Sequence, residues 1–231
     1  MTDYTLHYWP FPFRGQFVRI VLTHAGASWQ EADIGEVADQ RARAPADQLV
    51  PHMGPPLLTD HAAGVTLAQT GAILAYLGHK HGLMPEDPVR AALTHKVVAD
   101  ANDVLYEMTR FNGAQMWTDD AWAEYRPRLT RWMTIFEELG HRHGLTPVQG
   151  HILGTESPGI ADFATHALWG VMTRQLPPLR SALEQTAPAI AALSDRIAAI
   201  PAQKDLQRRS DEAYGNEWCG GQIEASLRKI I

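Results

Sequence analysis

The chain has 231 residues, 45% of them hydrophobic, with 20 basic against 26 acidic side chains and a formal net charge of −6. That apolar content supports a packed core and excludes a disordered tail protein, while the acidic balance argues against sequence-independent nucleic-acid binding, which needs a basic footprint. The single cysteine, Cys219, excludes an internal disulfide and any Cys-x-x-Cys redox or zinc motif. No apolar run approaches the ~18 residues of a membrane span, and the opening residues lack the basic-then-apolar order of a secretion signal.

Thr5 to Trp9 reads as a short strand, after which Pro10 and Pro12 hold the chain in a loop. A helical period starts at Arg14, with Val18, Val21, Leu22 and Ala25 at i, i+3, i+4 and i+7, and Gly26 stops it. Ser28 to Ile34 reads as a second strand, and this strand–helix–strand order predicts parallel pairing. Residues 36–49 are a weak helix or an excursion. Pro55 and Pro56 delay the next strand to about Leu57. His61 to Gly64 reads as a turn and Val65 to Leu67 as the returning strand. A helix follows from about Gln69 to near Gly82, with Ile73, Tyr76 and Leu77 on one face. Met84 to Pro88 has the composition of a linker.

Beyond that linker only helical periods remain. Val97, Ala101, Val104, Leu105 and Met108 form one stripe; Leu129, Trp132, Met133 and Phe136 form another. Ile160, Phe163, Ala164, Ala167, Leu168 and Val171 form the cleanest, and Ile190, Leu193, Ile197 and Ile200 a shorter one. The predicted architecture is α/β plus all-α: a small α/β domain at 1–83, then an all-helical domain at 88–231. His79 and His81, like His141 and His143, are two apart and face different sides of a helix, so no metal site is expected.

Four local patterns add to this layout. Tyr8-Trp9-Pro10-Phe11-Pro12-Phe13-Arg14-Gly15-Gln16-Phe17-Val18-Arg19, running on to Gly26 and Ser28-Trp29, comes first. Pro56-x-Leu58-x-Asp60, Leu67-Ala68-Gln69-Thr70-x-Ala72-Ile73-x-x-Tyr76-Leu77 and Ile160-Ala161-Asp162-Phe163 follow in order. Together they resemble the cytosolic glutathione S-transferases of the tyrosine type, most closely the pi class. The resemblance spans both domains. It implies a thioredoxin-like N-terminal domain, a helical C-terminal domain, glutathione as co-substrate, a cytoplasmic homodimer and a detoxification role. It implies no metal and no redox cofactor.

Glutathione reacts as its thiolate, and a free aliphatic thiol is mostly protonated at neutral pH. A directed hydrogen bond from a neutral hydroxyl favours the charged form, and the family's catalytic tyrosine falls on Tyr8. Tyr4 is the competitor, but it stands at the strand's start. Arg14 matches the arginine near the peptide's charged groups, where a guanidinium fork suits a carboxylate; Arg19, five residues on, reads as structural. Gln69 and Thr70 stand at a helix start, whose unpaired N–H groups cradle the γ-glutamyl carboxylate in the family; Thr70 could equally cap the helix. Pro56 matches the family's cis-proline, although Pro55 could take that place and move Gly54 into the contact position. With Pro56 cis, Pro55 is the residue that pairs its backbone with the cysteinyl unit of glutathione. Proline has no N–H, so half of that pairing is lost. Asp103 matches an aspartate that reaches across a dimer interface toward the γ-glutamyl group; Asp100 fills the role if the register slips. Asp162 reads as a structural cap beside Gly159. Trp9, Phe11, Phe13, Tyr106, Met108 and Phe111 are the expected walls of an electrophile pocket, with Trp218 closing the far side.

The expected reaction is attack of a glutathione thiolate on a hydrophobic electrophile, with peroxidase or isomerase activity also open. The rival is a non-catalytic carrier or interaction module on the same fold, which Pro55 favours. A thiol–disulfide oxidoreductase needs a cysteine near residues 8–15, and none is there.

Overall fold

The computed structural model describes residues 2–231. The α/β part comprises β1 (Tyr4–His7), α1 (Phe13–His24), β2 (Trp29–Glu31), α2 (Ile34–Ala42), β3 (Leu57–Asp60), β4 (Val65–Ala68) and α3 (Thr70–Lys80). The described strands form one sheet in the order β2-β1-β3-β4. β1 pairs parallel with β2 (Tyr4 opposite Trp29), and β3 runs antiparallel to both β1 and β4. This is the thioredoxin-like order expected from the sequence.

The strands are shorter than the sequence suggests. β1 ends at His7, because the prolines that follow cannot extend the ladder. β2 stops at Glu31 because Asp33 turns the chain into α2, its carboxylate accepting the Gly35 N–H at 2.8 Å. Gly26, at φ +64°, closes α1 as the left-handed residue beyond the last turn. Asp60, at the end of β3, is buried and receives Tyr76 (2.8 Å), Lys80 and the Ala63 N–H (2.9 Å). These bonds hold its carboxyl down at about 2 despite the opposing effect of burial.

The helical part comprises α4 (Pro88–Met108), α5 (Arg110–Gly113), α6 (Asp119–Arg142), α7 (Ile160–Thr165), α8 (Val171–Gln175), α9 (Pro178–Thr186), α10 (Pro188–Ala198), α11 (Pro201–Tyr214) and α12 (Gly221–Leu227). A π-turn, His166–Gly170, joins α7 to α8 in one rod. That rod carries the strongest predicted stripe and is buried almost all round. α9, α11 and α12 were not expected. α11 turns Gln203, Leu206 and Ser210 inward, a face too polar to give a hydrophobic period. α5 is a left-handed turn: Arg110, Phe111, Asn112 and Gly113 all have positive φ, a run that costs roughly 1–2 kcal/mol for each non-glycine residue.

Buried acids hold the helical part together. Asp162 accepts the Gly159 N–H and the Ile152 N–H, both at 2.9 Å. Gly159 has no side chain to return the bond, so only half of a capping box forms. Glu137 accepts the N–H groups of Ala189 and Ile190 at 3.0 Å, capping α10 from a distant helix.

The π-turn buries His166. Burial, with Arg174 as a second cause, pushes its imidazole from 6.5 down to about 4. The unfolded ring takes up a proton below about pH 6.5, and the folded ring does not until about 4. The stability from this group is therefore complete above pH 6.5 and is lost as pH falls toward 4, on the order of 3 kcal/mol in all. Urea midpoints at pH 7 and pH 4.5 should show a fall that His166→Gln makes smaller. An equal fall in the variant would remove His166 from the account.

Candidate functional site

A helix leaves its first N–H groups without partners inside the helix. At the start of α1 two of these donors are met from outside the helix: the Phe13 N–H donates to the Trp218 carbonyl at 3.1 Å and the Arg14 N–H to the Tyr8 hydroxyl oxygen at 3.0 Å. The helix's own ladder then begins with the Gln16 N–H on the Pro12 carbonyl at 2.9 Å. Tyr8, just beyond β1, therefore lies over the positive end of α1. Phe11 packs edge-on against its ring with centroids 6.0 Å apart, and Arg19 lies 5.6 Å from the ring centre. Gly15 is the floor: a Cβ there would stand 2.2 Å from Tyr8 Cδ1. Arg19 is buried, pairs with Glu31 at 2.7 Å and donates to the Phe11 carbonyl at 3.0 Å. It fixes the loop that carries Trp9 to Pro12, the structural role its position suggests.

Burial pushes the Tyr8 phenol up to about 12, against the pull of Arg14, Arg19 and the backbone N–H. At neutral pH the ring keeps its proton. Its oxygen already accepts from Arg14, so the hydroxyl hydrogen is available to an acceptor in the cleft that Tyr8 lines.

That cleft holds about 470 Å³. One wall is Tyr8, Trp9, Phe11, Phe13 and Arg14; a second is Gly54, Pro55 and Pro56, joined by a cis peptide bond between the prolines. Gln69 and Thr70 form the corner at the start of α3. Gln69 sits at φ +75°, a strained conformation costing about 1–3 kcal/mol for a residue with a side chain. Thr70 is the first helical residue, and the side chain of Gln69 at the N-cap makes no capping bond. Tyr106 of α4 also lines the cleft.

The cleft also contains residues that no motif marked. Asn102 accepts the Arg14 Nε–H at 3.0 Å. It shares a helix face with Tyr106 and Thr109, at i, i+4 and i+7, which is the signal that could have found it. Arg41 of α2, Met53, Asn112 of the left-handed turn, and Cys219 and Ile223 of the C-terminal segment complete the lining. Among the described residues the only charged side chains in it are Arg14 and Arg41, and no carboxylate lines the cleft. Burial, and then Glu224, push the Cys219 thiol up, so it stays protonated.

Three expected wall residues stand elsewhere. Met108 is fully buried in the core, where its carbonyl accepts the Trp117 Nε1–H at 2.9 Å. It follows Tyr106 by two residues, about 200° round the helix, so both cannot face the cleft. Phe111 is half exposed and lines a neighbouring groove with Trp117 and Tyr125, touching the cleft only through its edge contact with Tyr106. Trp218 does not close the pocket. It is buried behind Phe13 with ring centres 5.2 Å apart. Glu224 holds this segment by accepting the N–H groups of Trp218 (3.0 Å), Cys219 (2.7 Å) and Gly220 (2.6 Å). Asp103 is exposed on α4 and is not part of its own chain's cleft, and Asp100 pairs with Lys96. Among the described residues no group of three or more His, Cys, Asp or Glu is placed to hold a metal ion, and no helix is long and apolar enough to cross a membrane.

A family model described as "Glutathione S-transferase, C-terminal domain" matches residues 93–230. No curated protein matches the chain by sequence. Among solved structures the fold is similar to that of NaGST-2, at 19% identity and TM-score 0.72, covering 90% of this chain and 97% of that one. It is also similar to a Pi-class glutathione S-transferase of Onchocerca volvulus, at 19% identity and TM-score 0.72, covering 91% of this chain and 95% of that one.

The floor beneath Tyr8 can be tested directly. Gly15→Ala should destabilise the protein by about 1–3 kcal/mol, because the new methyl overlaps the ring, and should displace the tyrosine from Arg14. Thermal melting and the near-ultraviolet dichroism of the aromatic cluster report the two effects. An unchanged aromatic signal would mean the ring is not held as described.

Proposed function

This chain belongs to the glutathione S-transferase family, and on that premise we propose that its cleft activates the glutathione thiol for attack on a hydrophobic electrophile. One observation carries the proposal: a tyrosine held protonated, its oxygen taken by the α1 N-terminus, lines a cleft whose only charged side chains are two arginines. Glutathione brings two carboxylates, one ammonium and a thiol. A thiolate beside Tyr8 accepts the phenolic hydrogen and lies near the positive end of α1. The thiol proton goes to solvent, the sulfur forms a bond to the electrophilic carbon, and the leaving group departs with its electron pair. Tyr8 keeps its own proton throughout.

The same lining residues suit the rest of the peptide. The open N–H groups at the start of α3, with Gln69 and Thr70, are the cradle for the γ-glutamyl carboxylate. Arg14 and Arg41 offer guanidinium forks for carboxylate charge. Pro55 contributes a carbonyl but no N–H, so the peptide's cysteinyl unit pairs on one side only. Trp9, Phe11, Phe13, Tyr106 and Ile223 leave an apolar space suited to a bulky or aromatic electrophile. The family resemblance extends this reading to a cytoplasmic homodimer, in which exposed Asp103 reaches the partner's cleft, and to detoxification.

The first test is the ultraviolet difference spectrum of the protein with glutathione across pH. A thiolate band near neutral pH is expected for wild type and its loss for Tyr8→Phe, with kcat lowered about 10²–10³-fold, the usual effect of losing one donor to a developing anion. Since the phenol ionises only near pH 12, the rising limb of the pH–rate profile belongs to the bound thiol and should move upward in the variant. Unchanged turnover in Tyr8→Phe would place the activator elsewhere in the Trp9–Arg14 loop. No band and no binding would leave the carrier reading, which Pro55 favours.

Pro55 gives a second test. Pro55→Val restores an N–H at the pairing position. One hydrogen bond contributes about 0.5–1.5 kcal/mol net, so glutathione should bind roughly 2–10-fold tighter by calorimetry. Equal or weaker binding in a folded variant would mean the peptide does not run along this strand.

A further inference from the structure

The chain treats the two arginines that flank Tyr8 differently. Arg19 is fully buried and answered by a carboxylate: Glu31 accepts from its Nε at 2.7 Å and from a terminal nitrogen at 3.3 Å. Burial opposes the Arg19 charge, but Glu31 more than offsets it, so this guanidinium stands above its ordinary value. Arg14 is anchored by a neutral group. Its Nε–H donates to the amide oxygen of Asn102 at 3.0 Å, and its guanidinium carbon lies 4.6 Å from the centre of the Phe13 ring. Burial pulls the Arg14 guanidinium below its ordinary value; Tyr8 and Cys219 act the other way, and among the described residues no acid does.

An amide and a carboxylate offer Nε the same kind of acceptor, but only the carboxylate cancels the arginine's charge. The acids of α4 nearest this point are engaged or turned away. Asp100 pairs with Lys96, Glu107 pairs with Arg128, and Asp103 is exposed outside the cleft lining. Asn102 and Arg14 both line the cleft, and their bond crosses from α1 to α4. The Arg14 charge acts at the tyrosine: after burial it is the strongest influence on the Tyr8 phenol, and the Arg14 backbone N–H donates to the phenol oxygen. Asn102 therefore holds a guanidinium at the Tyr8 end of the cleft and leaves its charge whole.

We infer that Asn102 is a positioning residue for the thiolate: by anchoring Arg14 through a neutral amide, it keeps a full positive charge beside the sulfur that Tyr8 receives. This rests on the thiolate reading of Tyr8 given above. A merely structural tie between α1 and α4 predicts the opposite response to one substitution. Asn102→Asp keeps the acceptor and makes the bond charge-assisted, which strengthens a tie. The same change sets a negative charge against Arg14 and weakens the field at the sulfur.

The test compares the full chain with its Asn102→Asp and Asn102→Ala variants. The melting temperature of the aspartate variant should equal or exceed that of wild type. Its bound glutathione thiol should ionise roughly 0.5–1 pH unit higher, read from the ultraviolet thiolate band. Glutathione sulfonate and S-methylglutathione differ in charge at the sulfur, so their ratio of affinities isolates the field there from the rest of the peptide. By calorimetry the preference for the sulfonate should fall roughly 3–10-fold in the aspartate variant. Asn102→Ala frees the arginine without adding charge and should move both readouts the same way by less. An aspartate variant with wild-type ionisation and wild-type preference overturns the inference, as does an alanine variant equal to wild type in both. So does a wild type that does not favour the sulfonate. A wild type with no thiolate band, whose preference for the sulfonate is lost in the aspartate variant, removes the Tyr8 reading and keeps the role of Asn102.

Discussion

A helix cannot satisfy its own first N–H groups, and the start of α1 is where this protein turns that constraint to use. Two donors there are met from outside the helix, by the Tyr8 hydroxyl and by Trp218 from the far end of the chain. The tyrosine that closes the helix is thereby aimed into the cleft with its proton uncommitted. Arg19 holds the intervening loop from below, and Gly15 leaves room for the ring. The architecture around this point reads as support for one phenol.

The same economy of charge runs through the molecule. Half of its sixteen arginines are paired with an acid, Arg208 and Arg209 of α11 among them. In the cleft, two guanidinium groups stand with no carboxylate in the lining among the described residues. The protein is acidic overall, so local placement and not net charge gives the cleft its positive lining.

Where residue spacing and chain punctuation carry the signal, the sequence can be read directly. Gly26, Pro55, Pro56 and Gly64 break the α/β part at the places where its elements turn, and the buried rod from Ile160 announces itself through a stripe of apolar residues. α11 does not, because its inward face is Gln203, Leu206 and Ser210. In the site, Tyr8, Arg14, Gln69 and Thr70 are marked by local motifs. Arg41 has no local mark, since its direction depends on how α2 lies against the sheet. Met108 and Phe111 show a different limit. One is carried to the back of α4 by helix geometry, and the other is turned outward by four consecutive left-handed residues that no propensity scale would place there.

The bond from the Phe13 N–H to the Trp218 carbonyl ties residues separated by almost the whole length of the chain, and it has a bearing on synthesis. The α/β part leaves the ribosome first, and its strands and helices can pair as they emerge. The start of α1 nevertheless stays short of one acceptor, and the cleft short of the wall supplied by Cys219 and Ile223, until the Glu224-held segment has been made. The nascent chain therefore carries an unfinished site through most of translation, and the pocket closes only as one of its last acts of folding.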